Sequence, residues 1–553
     1  MLSRYRFSWI KSGNPWVWLT AGAVSISLIS VLGLLLLIGW KGLVYFWPAP
    51  LYQWQDAQGQ RLIGQVYQRD HVSLDQLSEQ DRPWPEQVMK AEQAERLSIK
   101  VANRDIYPRD FISVLAIDLH HQVTPQDLAV FERTRSGDFF GQPVAFENKG
   151  QAYQDSLPQR ISTAIKSADE VREKIDDILQ NELHLVTQQL NELRAEKRAK
   201  QHKGQATAAY LKTFEQRQGG LEVRFNQAES KILALQDQLS SARVRVKDMQ
   251  GEIISLPLDS ILDAWYPNDM SLGEKVHHWV KQVGKFLLDN PRESNSEGGV
   301  FPAIFGTVLL VIIMSVVVMP LGVIAAIYLH EYARNTMLTR LIRISVVNLA
   351  GVPSIVYGVF GLGFFVYTIG SSIDELFYSD TLPTPTFGTP GLLWSAMTLA
   401  ILTLPVVIVA TEEGLARVPN SVRHGSYALG ATKFETLWRT VLPMVSPAIM
   451  TGLILAVARA AGEVAPLMLV GVVKLASNLP VDGDFPYLHL ERKFMHLGFH
   501  VYDVGFQTPN IEAARPLVFA TSFLLITVVV GLNITAIMIR NNLREKFKIL
   551  GND

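Results

Sequence analysis

The chain has 553 residues, enough for two or three domains, with 48% hydrophobic and 19% charged residues and a formal net charge of −1. That balance excludes a nucleic-acid binder working through a basic surface. The absence of cysteine excludes disulfide frameworks, thiolate metal sites and cysteine nucleophiles.

Residues 1–16 form a short N-terminus carrying Arg4, Arg6 and Lys11. The charge-free run 17–40 exceeds the about 20 residues that cross a hydrocarbon core. No small-x-small cleavage site follows it, so 17–46 is expected to be an uncleaved transmembrane anchor. Next comes a polar insertion, 47–298. LYQWQDAQGQRLIGQVYQ has a hairpin-like Gln58-Gly59, and RLSIKVANRDIYPRDFISVLAIDL alternates apolar and polar residues, which predicts a β-rich domain over 47–158.

The period then changes. Ile175, Leu179, Leu183, Val186, Leu190 and Leu193 keep a near-heptad spacing. Leu221, Phe225, Ala228, Ile232, Leu235, Leu239, Ala242, Val246 and Met249 keep it without interruption. Two such stripes joined by a polar, glycine-containing stretch predict an antiparallel coiled-coil hairpin over 159–250. Heptads specify pairing rather than purpose, so the hairpin either packs only on itself or serves as an arm for a partner. Residues 251–298 read as a connector, with EKVHHWVKQVGKFLL (274–288) an amphipathic helix on the outer surface.

Five further spans are predicted at 302–329, 344–369, 390–411, 444–472 and 516–539, with bends expected at Pro320, Pro353, Pro405 and Pro447. The 330–343 loop holds Arg334, Arg340 and Arg343. The 412–440 loop holds Arg417, Arg423, Lys433 and Arg439, and the tail holds Arg544, Lys546 and Lys548. Between them, 370–389 has no basic residue but has Asp374, Glu375 and Asp380. Cytoplasmic loops carry the positive charge. The expected fold is therefore an all-α polytopic membrane protein of six helices. Both termini, including 546–553, are expected in the cytoplasm, and the mixed β-rich and coiled-coil insertion outside it.

No G-x-x-x-x-G-K-[ST] loop is present. Val283-Gly284-Lys285-Phe286 lacks the upstream glycine and the following hydroxyl, so any ATP chemistry belongs to another polypeptide. No Ser/His/Asp arrangement is visible either, and the chain is not expected to be an enzyme. Arg459 and Glu463 lie four apart in the predicted fifth span, on one helical face. Each charge costs about 2.5–3.5 kcal/mol at the centre of a helix, so such residues face a bundle interior or a wet pathway. The arginine fork suits phosphate or carboxylate oxygens. The pair thus reads as a transient anion contact, against the plainer reading of a neutralised pair that knits helices together.

Gly358, Gly361 and Gly363 read as close-packing positions rather than a nucleotide loop. His489, His496 and His500 with Asp503 have only loosely metal-like spacing, and no metal site is assigned. Asn348 and Asn533, placed in spans, read as interhelical hydrogen-bonding residues.

The segment RHGSYALGATKFETLWRTVLP (423–443) fits neither flanking apolar run. It resembles the EAA loop of binding-protein-dependent ABC importer permeases, whose pattern is Glu-Ala-Ala, three residues, Gly, nine residues, Ile-x-Leu-Pro. Gly430, Leu442 and Pro443 match, Ser426 is small at the second Ala, and His424 and Gly425 stand where the family has Glu and Ala. GVPSIVYGVFGLGFFV (351–366), EEGLARVPNSVRHGSYALGAT (412–432) and ARAAGEVAPLMLV (458–470) resemble the PstA-type permeases of bacterial phosphate importers, over 300–545 and not over the insertion.

The resemblance implies a type I ABC importer permease domain over 299–545. Its coupling loop, 412–443, would seat His424, Gly425, Ser426, Gly430, Leu442 and Pro443 against an ATPase. It also implies a homologous PstC-type permease, a PstB-type ATPase dimer that binds the ATP and Mg so that this chain holds no cofactor, and a periplasmic PstS-type phosphate-binding protein. Membrane lipid surrounds the assembly, a phosphate-signalling regulator is a further partner, and nucleic acid has no place. Arg459 and Glu463 match residues regarded as transport residues there. The expected function is ATP-driven import of inorganic phosphate by alternating access, this chain forming half of the pathway. Sulfate or molybdate is the alternative cargo, and a membrane-anchored scaffold or sensor acting through the insertion is the alternative class.

Overall fold

The structure, a computed structural model, describes residues 14–56, 59–74, 93–107, 109–202, 204–292, 297–379, 384–476, 478–508 and 511–549. Arg4, Arg6, Lys11, Gln58 and Asp380 lie outside the described residues, as do the side chains of Arg544, Lys546 and Lys548. Among the described residues, six helices are long and apolar enough to cross a membrane: Trp16–Val44, Phe301–Tyr332, Ser354–Phe377, Leu392–Ala416, Lys433–Gly462 and Ala514–Asn542. Contacts divide the chain into two units, one of 1–46, 286–373 and 386–553, the other of 47–285 with 374–385.

In chain order, α1 (Asn14–Val44) precedes the second unit, whose two sheets are antiparallel. The first has the order β4 (Phe111–Leu115), β3 (Gln93–Lys100), β2 (Arg61–Ser73), β1 (Tyr52–Gln55), β5 (His120–Val123). The second has the order β10 (Ile253–Pro257), β9 (Ala242–Lys247), β7 (Phe139–Asn148), β6 (Ala129–Arg133), β11 (Ile261–Trp265), with β8 (Gln151–Tyr153) on β7. Helices α2 (Leu157–Asp177), α3 (His184–His202) and α4 (Ala208–Ser240) lie between β8 and β9.

They form an antiparallel hairpin. Lys231 pairs with Glu182 at 2.8 Å, Lys197 lies 4.3 Å over the Phe214 ring, and Lys200 lies 4.0 Å over Tyr210. The buried stripe runs through Ile161, Ile165, Ala168, Val171, Ile175, Val186, Leu190 and Leu193, facing Phe214, Ala228, Ile232 and Leu239. A π-helical turn over Ile178–Leu183 shifts the phase, which leaves Leu179 39% exposed.

The predicted stripe overran its helix. Ala242 and Val246 belong to β9 and Met249 follows it, because Ala242, Val244 and Val246 are buried in alternation with exposed Arg243 and Arg245. A four-residue apolar spacing fits both periods. Here β-branched valines at every second position, with a strand on either side, decide for the sheet. Residues 251–298 are accordingly more than a connector, since they supply β10 and β11 to the sheet begun by β6 and β7. Arg172 fastens α2 to that sheet, donating to Ile261 O at 2.6 Å and Leu258 O at 3.0 Å.

The predicted amphipathic helix is α5 (Leu272–Leu288). Its Lys281 meets Asp263 at 2.7 Å, and its Lys285 meets Glu132 at 2.9 Å and Asp263 at 3.2 Å. Burial pushes the Asp263 carboxyl up, but Lys285 and Lys281 outweigh it and hold the group below the ordinary carboxylate range. The stability this contributes is present above the usual Asp value and is lost as pH falls through the lowered one.

In the membrane unit, α6 (Phe301–Ile327) ends in a π-helical turn, Tyr328–Tyr332. The predicted 344–369 span is corrected. Its first part belongs to a separate helix, α7 (Met337–Leu349), none of whose residues is buried. The break at 350–353 follows from Val352-Pro353, since proline donates no hydrogen bond and disfavours helix in the residue before it. The Tyr357 hydroxyl spans the break, donating to Leu349 O at 2.6 Å. Asn348, in the last turn of α7, is exposed and sits in no span.

The span itself is α8 (Ser354–Phe360), a π-helical stretch Gly361–Gly370 and α9 (Ser371–Phe377). A Cβ at Gly358 would stand 2.7 Å from Pro466 Cα, and one at Gly361 2.2 Å from Thr398 Oγ1, so both permit close approach; Gly363 has open space. Helix α10 (Leu392–Ala416) contributes Leu399 and Val407 to the core, against Leu310, Met314 and Val318 of α6.

Changing Val244, buried on the inner face of β9, to alanine is expected to lower stability by about 2–3 kcal/mol. Arg243→Ala stays within about 0.5 kcal/mol. Thermal unfolding of the full chain in detergent measures both, and the coiled-coil phase predicts no large loss at Val244.

Candidate functional site

The polar segment after α10 folds into two short helices with a tight turn between them. Helix α11 (Asn420–Ala428) starts behind Pro419 and closes in a Schellman turn, with Ala431 N–H donating to Ser426 O at 3.2 Å and Gly430 N–H to Tyr427 O at 2.9 Å. Gly430 takes φ +88°, a conformation open to glycine and strained for other residues. Thr432 then caps α12 (Lys433–Thr436) in a capping box with Glu435. Ser426 Oγ and Thr436 Oγ1, 2.8 Å apart, tie the two helices together. Helix α12 continues through a π-helical Leu437–Val441 into α13 (Leu442–Gly462). Pro443 directly follows the π-helical stretch and so stands inside the continuous run Lys433–Gly462 rather than at a free helix start, which corrects the expectation of a turn there.

Of the six predicted coupling residues, His424 and Gly425 are exposed, and a Cβ at Gly425 would meet nothing within 4 Å. Nothing within this chain therefore requires glycine there. Ser426, Leu442 and Pro443 are half-buried, and Gly430 is exposed at the turn. Beside the turn, Leu429 is 90% exposed, and Phe434 and Trp438 stack with ring centroids 6.2 Å apart while 67% and 65% exposed. An apolar surface of this kind on a polar loop marks an interaction site.

The residue missed from the sequence is Glu331. Arg423 and Lys433 were read there only as positive charges that set orientation. The Arg423 Nη2 donates to Glu331 Oε1 at 2.9 Å and to Leu415 O at 2.9 Å, and Nη1 donates to Val418 O at 2.6 Å. The two side chains are only 11% and 9% exposed. Lys433 donates to the main-chain oxygen of Glu331 and lies 4.4 Å over the Tyr332 ring. A cleft of about 500 Å³ opens beside the pair, lined by His330, Leu415, Arg417 and Asn420 among others. An acid standing at the junction of a long apolar run and a basic loop was the available signal.

Arg459 and Glu463 do pair, Nε to Oε1 at 3.4 Å, with side chains 31% and 21% exposed. They are not both inside a helix. Helix α13 ends at Gly462, and Glu463 is extended at φ −80°, ψ 127°. Pro466 accounts for the end: in a continued helix its ring would clash with the carbonyl of Gly462. The predicted 444–472 span therefore stops short, and Pro466 leads into a single turn, α14 (Leu467–Val470). The pair sits in the last turn of the spanning helix rather than at its centre. Arginine suits that end of the helix dipole.

The histidines do not converge. His489 meets Asp482 at 3.0 Å and Glu491 at 3.2 Å, His496 accepts from Gly498 N–H at the start of α15 (Leu497–Phe506), and Asp503 meets Lys474 at 3.1 Å. Among the described residues no group of three or more His, Cys, Asp or Glu could hold a metal ion. Asn533, in α16 (Ile511–Ile549), has a buried Oδ1 with no hydrogen-bond partner among the described residues.

Residues 318–544 match the family described as the inner membrane component of binding-protein-dependent transport systems. The phosphate transport system permease protein PstA 1 of Mycobacterium tuberculosis H37Rv is 34% identical over 245 residues, 44% of this chain and 70% of the relative. The PstA of Yersinia pestis is 38% identical over 183 residues, 33% of this chain and 56% of the relative. The PstC of Mesorhizobium japonicum is 36% identical over 174 residues, 30% of this chain and 53% of the relative. Among solved structures, an inward-facing form of the MetNI methionine ABC transporter aligns with TM-score 0.32 and 18% identity, covering 44% of this chain and 94% of that chain. With 34% identity spanning 70% of a PstA, and a family match that runs from within its second span through its sixth, the chain belongs to the PstA-type permeases of binding-protein-dependent ABC importers.

Proposed function

We propose that this chain is half of the transmembrane pathway of an ATP-driven importer of inorganic phosphate. The observation that carries the reading is its 34% identity to a phosphate permease across 70% of that relative. A PstC-type permease completes the pathway, a PstB-type ATPase dimer binds ATP and Mg, and a PstS-type binding protein delivers cargo from outside. Both termini and the 412–443 loop face the cytoplasm, and the 47–298 insertion faces the periplasm, its hairpin packed as a two-stranded coiled coil.

The α11–α12 lever supports the coupling role, because its exposed Leu429, Phe434 and Trp438 offer an apolar face to a partner. Closure of the ATPases on bound nucleotide pushes this lever and switches the pathway between inward and outward access. Arg459 contacts the passing anion. Its side chain is 31% exposed and, among the described residues, makes one long bond, to Glu463, so donors remain for a phosphate oxygen while the carboxylate keeps binding weak. Specificity rests mainly with the binding protein.

Arg459→Gln is expected to reduce phosphate uptake about tenfold or more, with Arg459→Lys intermediate, in assemblies of normal composition. Normal uptake in both variants ends the pathway role, and competition by sulfate or molybdate decides the cargo. At the lever, Gly430→Trp forces a bulky residue into the left-handed region, at a cost of about 1–2 kcal/mol. ATP hydrolysis should then continue while uptake falls. Co-purification of an ATPase with the wild-type chain tests the whole reading.

A further inference from the structure

Helix α6 has no covalent link to the coupling loop, yet its end is fastened to both halves of it. The carboxylate of Glu331 takes Arg423 of α11, and its main-chain oxygen takes Lys433 at the start of α12. We infer that Glu331 is a positioning residue for coupling, the point through which motion of the lever enters α6 as well as α10 and α13. This rests on the coupling role proposed for the 412–443 loop.

Three features separate this contact from an ordinary surface ion pair. Both side chains are about nine-tenths buried, so the attraction is little screened by water and salt. Arg423 is also held by Leu415 O, in the last turn of α10, and by Val418 O, two residues past its end, so its guanidinium is a fixed object rather than a swinging one. The two attachments come from one residue and reach opposite sides of the Gly430 turn, which itself is locked by the Schellman bonds and the Ser426–Thr436 contact. A displacement of α11 therefore cannot be absorbed at the turn while α6 stays still.

Without the Glu331 carboxylate, the end of α6 would keep the Lys433 contacts to the residue-331 main chain and the Tyr332 ring, and the apolar cluster that Leu329 shares with Leu437, but it would lose its buried charged tie to α11. Apolar packing of that kind, like that of Met314 and Val318 against Leu399 and Val407, can slide, whereas the buried ion pair fixes both partners. Motion passes efficiently where rigid elements share buried polar contacts.

The experiment uses the full complex in phosphate-loaded and phosphate-free proteoliposomes, comparing wild type with Glu331→Ala and Glu331→Gln. It measures the ATPase subunit retained, ATP hydrolysis, and phosphate moved per ATP hydrolysed. The expected result is that Glu331→Ala keeps its ATPase subunit and hydrolyses ATP, while phosphate per ATP falls about tenfold. Glu331→Gln, which keeps an acceptor for Arg423 but loses the charge, falls less. If Glu331→Ala fails to assemble, the ratio is read in Glu331→Gln alone, where a fall is still required. A ratio equal to wild type in either assembled variant overturns the inference, since a merely structural residue would lower assembly and uptake together. Uptake by the wild type without ATP would instead sink the importer reading, before any variant is compared.

Discussion

A single helical run joins the polar loop after α10 to the Arg459–Glu463 ion pair. It begins at Lys433 and carries Arg459 in its last turn. At 1.5 Å per residue the two lie roughly 40 Å apart. Pro443 and Pro447 bring no backbone donor and Leu437–Val441 is π-helical, so this rod is helical throughout but not uniformly bonded. It still gives a continuous backbone path from α12 to Arg459. Pro466 sets the upper limit of the rod, and the capping box of Thr432 and Glu435 sets the lower.

The close approach of α8 at Gly358 gives the upper end its second contact. The backbone of the third span touches Pro466, three residues beyond Glu463. Helix breaks at 350–353 and at 463 therefore lie on segments that meet. The ion pair of Arg459 and Glu463 sits at one of these breaks, where helical hydrogen bonding stops and polar groups must find other partners. A charged pair at such a position is easier to hydrate than one at mid-span. This fits its partial exposure.

Much of this was legible in the amino-acid order, for identifiable reasons. Six apolar runs longer than the hydrocarbon thickness could hardly be anything but spans, and Gly430 sits where the turn between α11 and α12 requires it. What was not legible depends on contacts across the fold. The stripe through Ala242 and Val246 fitted a helix until the strands of β7 and β10 were seen on either side. The run after 344 was apolar throughout, and only Pro353 hinted that its first turns belong to another helix. Glu331 could be noticed only as an acid between an apolar run and a basic loop, because its two partners lie about a hundred residues away in sequence.

The strand β9 has a further consequence for how the chain is made. Its neighbour β7 lies on the other side of the hairpin, so the second sheet cannot close until residue 247 is available. The hairpin, whose contacts are local, can form while the sheet is still open, and by then holds β7 and β9 close together. That removes most of the loop-closure entropy that so distant a pairing would otherwise cost. During synthesis the arm thus acts as a built-in chaperone for its own base, and its deletion would need a short turn in its place.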